Sequence, residues 1–237
     1  MFFVLMVLSL FANAQYTQVG QAPFTSSSYG PIISSTNPAY YSRMAYILPV
    51  ATLGNLQHGD SITAFSFSCY TFDTLRGNCN MKIYVKATNQ ADFGNGSLNW
   101  LAAQRDGMTR VYDGNPSAAI GDKPGYKTFI FNELSAYTWD TTGAKENLQV
   151  LIQYTQNTNQ VEPLQWDYDN NGSVTGFISG NEGKFIYGPS TSGLDSMTNI
   201  NNIRKPTLRI HYPRYDSELE LQNIYAYSSF FSAVLHN

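Results

Sequence analysis

The chain has 237 residues, a formal net charge of −3 and only 13% charged side chains, roughly half the usual share. That weak, slightly acidic balance excludes the basic surface that nucleic acid or an anionic membrane requires. Two cysteines are too few for a disulfide-rich scaffold, while the length suits one large β domain or two small ones.

Residues 2–11 are apolar except for Ser9, and Ala12, Asn13 and Ala14 follow, with Gln15 next. Small residues at 12 and 14 after a short apolar run form the cleavage site of a secretory signal. The run is too short to cross a bilayer as a helix. The expectation is a signal peptide over 1–14, a mature chain beginning at Gln15, and a secreted or cell-surface location. No later apolar stretch approaches the ~18 residues that a spanning helix needs.

From about residue 40 onward the pattern has period 2. Phe65, Phe67 and Cys69 alternate with Ser66, Ser68 and Tyr70. Met81, Ile83 and Val85 alternate with Lys82, Tyr84 and Lys86. Phe129 and Phe131 flank Ile130, and Leu148, Val150, Ile152 and Tyr154 form the next apolar set. Phe185 and Tyr187 follow, then Leu208, Ile210 and Tyr212, alternating with Arg209 and His211. Turn residues separate these runs, as at Gly94-Asn95-Gly96 and Asp113-Gly114. No apolar stripe of helical period has useful length. Half-polar strands with short turns predict antiparallel sheets. Eight or more of them predict an all-β, two-sheet β-sandwich of jelly-roll type. The sandwich is expected over 15–215, with 216–237 opening a second, truncated β domain; the alternative for 216–237 is one more strand of the first domain.

Cys69 and Cys79 are predicted to form a disulfide. Between them lie Asp73, Arg76, Gly77 and Asn78, which suit a hairpin loop, and exported cysteine pairs tend to be oxidised. Asp167, Asp169 and Asn171, with Gly172 after them, place oxygen ligands at alternate positions of a tight turn, which could encircle calcium. Ile178 stands where an EF-hand would need Glu, and a hairpin turn at Asn171-Gly172 explains the same residues. Calcium is the one cofactor considered. His58, His211 and His236 have no zinc-ligand spacing. The chain has no G-x-S-x-G elbow, phosphate loop or dinucleotide fingerprint, so no catalytic residue is assigned. Trp100, Trp139 and Trp166, with Tyr40, Tyr41, Tyr112, Tyr126, Tyr137 and Tyr168, either fill the core or form a stacking platform. The loops 92–105 and 113–126 carry the expected ligand contacts Trp100, Tyr112 and Tyr126.

Several stretches resemble a known family. Ala14-Gln15, Tyr29 to Ile33, Tyr41 to Ile47, Asp60 to Phe67, Met81 to Thr88, Asn147 to Tyr154 and Arg204 to Ile210 resemble the signal end and strands of N-terminal β-sandwich domains in secreted and surface proteins of Bacteroidota. Many of those proteins leave by type IX secretion. Residues 219–227 resemble the first strand of an immunoglobulin-like module that often follows. Asp60-Ser61, Asp73-Thr74, Asp140-Thr141 and Asp195-Ser196 resemble the O-glycosylation sites of that group. The resemblance implies fold and location, and no activity. The expected function is therefore non-catalytic: an extracellular domain of a larger exported protein that binds glycan or protein, with no nucleic acid and no membrane span. The alternatives are an accessory domain of a secreted hydrolase whose catalytic part lies further on, and a structural spacer in a long adhesin.

Overall fold

The computed structural model describes residues 14–20, 25–36, 40–70, 74–134, 136–142, 146–169, 181–190, 194–199 and 205–213. The signal segment before Ala14, Asn171 of the calcium loop and the proposed second domain from 216 lie outside them. In chain order the first strands are β1 (Ala14–Val19), β2 (Thr25–Ser27), β3 (Tyr40–Leu48), β4 (Ser61–Ile62) and β5 (Ala64–Cys69). Then come β6 (Cys79–Thr88), β7 (Leu98–Asn99), β8 (Thr109–Gly114), β9 (Gly125–Ile130), β10 (Tyr137–Thr138) and β11 (Asn147–Gln156). The last are β12 (Trp166–Asp169), β13 (Gly183–Gly188), β14 (Ser196–Asn199), β15 (Lys205–Pro206) and β16 (Leu208–Pro213). Helix α1 (Trp100–Arg105) follows β7, and α2 (Ser117–Ile120) follows β8.

The strands form an antiparallel two-sheet β-sandwich. The first sheet runs β1-β16-β5-β12-β15, with β9 also on β5 and β2 also on β12. The second runs β7-β14-β13-β3-β11-β6-β8, and β4 and β10 make a small ribbon. Period-2 alternation explains what lies between the sheets. Phe65, Phe67, Leu208 and Ile210 of the first sheet join Met81, Ile83, Val85, Val150 and Ile152 of the second in one buried cluster. Trp166 completes it, its Nε1 donating to the Ile32 carbonyl at 2.8 Å. Gly30 is required beside it, because a Cβ there would lie 2.3 Å from the Trp166 ring.

The two sheets differ on their outer faces. A second cluster of Ala45, Tyr84, Trp100, Ala103, Leu151 and Met197 covers the second sheet from outside, with α1 as its lid. Asn99 starts that helix, its Oδ1 accepting from the Ala102 amide at 2.9 Å. Leu151 is consequently buried although it alternates with Val150 and Ile152. Helix α2 packs against β9 of the first sheet, on the side of the inward Lys127, whose Nζ donates to the Ile120 carbonyl.

The cysteine pairing is corrected. Cys69 ends β5 in the first sheet and Cys79 begins β6 in the second, so the residues between them do not form a hairpin. Both are buried free thiols. Cys69 Sγ donates to the Gln165 carbonyl at 3.3 Å. Cys79 Sγ donates to the Arg76 carbonyl at 3.3 Å and accepts from Tyr154 Oη at 3.3 Å. Burial raises the Cys79 thiol above its ordinary value, partly offset by the Tyr154 hydrogen bond.

Candidate functional site

Each core residue of the first sheet turns its neighbour outward. Phe65 and Phe67 send Ser66 and Ser68 to the far face, and Leu208 and Ile210 do the same for Arg209 and His211. Strand register then sets side chains from four strands in rows. Gln18 pairs with Arg209, Arg209 with Ser66, and Ser66 with Thr128. The next row holds Tyr16 opposite His211, His211 opposite Ala64, and Ala64 opposite Ile130. On the other side Ser68 pairs with Tyr126.

Arg209 lies at the centre. Its Cζ is 3.5 Å from the Tyr126 ring centroid and 4.3 Å from that of Tyr16, distances of strong cation–π contact. Gln18 ties the group together: its Oε1 accepts from Arg209 Nε at 3.3 Å and from Tyr126 Oη at 3.0 Å. Burial raises the Tyr126 hydroxyl above its ordinary value while Arg209 pulls it back. Tyr16 is 46% exposed and Ile130 69%, so the rows end in accessible rings and apolar surface. At the opposite corner Asp167 Oδ2 accepts from Ser68 Oγ at 2.5 Å.

His211 Nε2 lies 2.6 Å from Ser66 Oγ, which is also 2.7 Å from Thr128 Oγ1. Burial first, and Arg209 second, hold His211 below its ordinary value. A serine beside a neutral histidine invites comparison with a nucleophile and its base. Ser66 is only 1% exposed, however, and among the described residues no carboxylate pairs with His211. The arrangement is that of a hydrogen-bonded floor under a polar and aromatic surface.

The expected contact residues separate. Trp100, the first residue of α1, is fully buried against the second sheet and Tyr112 is 8% exposed in the main core, so neither offers its ring to a ligand. Tyr126 alone of the three lies on the outer face of the first sheet, where it is partly exposed. Asp167 belongs to that face, and Asp169 ends β12 two residues on. Among the described residues no group of three or more His, Cys, Asp or Glu is arranged to hold a metal. Sequence reading passed over Tyr16, Gln18 and Arg209. The available signal was the outward phase of Arg209 on its strand, which names no partner.

A cavity of about 260 Å³ on the other sheet is lined by Phe93, Leu98, Asn99, Asp106 and Gln149, among others. Two of its polar groups are engaged, Asn99 capping α1 and Asp106 pairing with Lys86 at 2.5 Å, while Gln149 Oε1 is buried without a hydrogen-bond partner. Above it Lys184, fully buried, donates to the carbonyls of Gly94 at 2.8 Å and Gly96 at 2.7 Å. That lysine anchors the loop, and burial lowers its pKa from the ordinary value.

No family model and no curated protein sequence matches the chain. Among solved structures it is similar to the cysteine protease and lectin-like domains of Cwp84, a surface layer associated protein of Clostridium difficile. The identity is 9% and the TM-score 0.39 over 74% of this chain, which spans only 32% of that one. A likeness at that level carries no functional argument.

Proposed function

We propose that this domain is a non-catalytic binding module, exported from the cytoplasm, that takes a glycan across the outer face of its first sheet. The observation that carries the reading is the Arg209 guanidinium set between Tyr16 and Tyr126 on the outer face of the first sheet. A sugar ring has an apolar face and a rim of hydroxyls. Tyr16 and the partly exposed Tyr126 supply rings for the first. Gln18, Arg209, His211, Thr128 and Asp167 supply donors and acceptors for the second. Strands hold these groups in fixed register, so little ordering is needed when a ligand arrives. The export signal at 1–14 and the resemblance to surface-protein sandwiches of Bacteroidota support a location where glycans are met.

The test is a saccharide panel against the purified chain, followed by titration of Tyr126→Ala with the best binder. Removing that ring is expected to weaken binding about tenfold, near 1.4 kcal/mol. If no saccharide binds, or if Tyr126→Ala binds as well as the parent, the glycan reading is wrong.

A further inference from the structure

We infer that the saccharide taken by this face is acidic, with its carboxylate or sulfate on Arg209 and its neutral hydroxyls directed toward Asp167. The inference rests on the glycan reading and deepens it. Arg209 is half-buried, yet among the described residues no carboxylate forms an ion pair with it. A half-buried arginine of the other sheet differs: Arg43 donates to Asp195 Oδ1 and to the Leu194 carbonyl, both at 2.7 Å. Arg209 donates to Gln18 Oε1 at 3.3 Å, and its other close partners are the rings of Tyr16 and Tyr126 and the Tyr126 hydroxyl. A guanidinium has five N–H donors in a planar fork that matches a carboxylate or sulfate. Rings packed against its faces leave the edges of the fork as the route for an acceptor.

The surroundings give direction. Gln18, Thr128 and His211 flank Arg209 and bring no negative charge. Among the described residues Asp167 brings a carboxylate to this face, in the row beyond, where Ser68 holds it. Adjacent rows on one face are two residues apart along a strand, about 7 Å. An anion at Arg209 thus sits one row away from Asp167, where the carboxylate opposes it less than it would an anion placed directly over Asp167. Asp167 can accept hydroxyl protons from the neighbouring part of the ligand.

Calorimetric titration of the full chain with an oligogalacturonate, a sulfated chondroitin oligosaccharide, a neutral galactan oligosaccharide and poly-L-glutamate decides the matter. At least one acidic saccharide is expected to bind about tenfold or more tightly than the neutral one, and to lose affinity when salt rises about tenfold. The two acidic saccharides distinguish carboxylate from sulfate. Arg209→Gln should abolish that preference, bringing the acidic saccharide down to the affinity of the neutral one in the same variant, and Arg209→Lys should restore part of it. Equal binding of acidic and neutral saccharides overturns the inference and leaves the glycan reading standing. So does a preference that survives Arg209→Gln in a variant whose thermal unfolding is unchanged. Poly-L-glutamate binding as tightly as the acidic saccharides overturns it in favour of general anion attraction. Binding of no saccharide at all removes both readings.

Discussion

His211 carries a pH dependence whose sign follows from its position. Burial and the neighbouring Arg209 hold its pKa below the ordinary 6.5, and Ser66 and Tyr16 are its other close neighbours. When pH falls below that ordinary value, the unfolded chain takes up a proton that the folded chain still refuses. Stability present above about 6.5 is therefore lost as pH drops toward the folded value. Urea midpoints measured on both sides of 6.5 should fall more in the parent than in His211→Gln. Parallel falls would show that other groups carry the acid sensitivity. Trp100 teaches a different lesson at this scale. Its ring packs edge-on to Tyr84 at 6.5 Å and lies 5.1 Å from the Arg43 guanidinium. A tryptophan beside a turn-rich loop reads the same in sequence whether it faces solvent or plugs a gap between helix and sheet.

Strand β1 joins the beginning of the domain to its end. Its six residues pair with β16 from Ala14 opposite Pro213 to Val19 opposite Leu208. Val19 is buried in the main core and Tyr16 and Gln18 face the candidate site. A chain beginning at Gln15, as the signal cleavage predicts, keeps all three. It should melt with the unprocessed protein. A chain beginning at residue 20 loses at least the ~1.5–3 kcal/mol of a buried valine and exposes the edge of β16. Differential scanning calorimetry of the two would show the gap; equal melting would mean that β1 adds nothing to the fold. This strand was not foreseen, because residues 14–19 alternate weakly and their partner is far along the chain. Helix α1 was missed for the opposite reason: six residues are too few for a helical period to register.

For the whole molecule, β16 lies between β1 and β5 in the middle of the first sheet. Leu208, Ile210 and Tyr212 are each 2% exposed or less. A chain ending at residue 215 should therefore unfold in one cooperative transition, with stability close to that of the full sequence. One ending at residue 200 leaves β1 and β5 without the strand that joins them, and should lose that transition. Circular dichroism during heating tests both. A cooperative melt from the shorter chain would place the domain boundary earlier than 215.

Much of the sandwich was legible because alternation is a local property. Phe65, Phe67, Ile83, Val85, Ile152 and Ile210 each sit on the predicted inward phase, and sparse charge with abundant aromatics already marked the chain as all-β. Alternation states that neighbours point to opposite faces; it does not state which face another layer will cover. That was decided by α1 closing over the second sheet, which buried Trp100 and left Tyr126 partly exposed. Register is likewise a long-range choice. It separated Cys69 and Cys79 into different sheets although they are close in sequence, and it brought Tyr16, Tyr126 and Arg209 together from three distant strands. The candidate site is made of those long-range pairings, and so it came into view only in the folded chain.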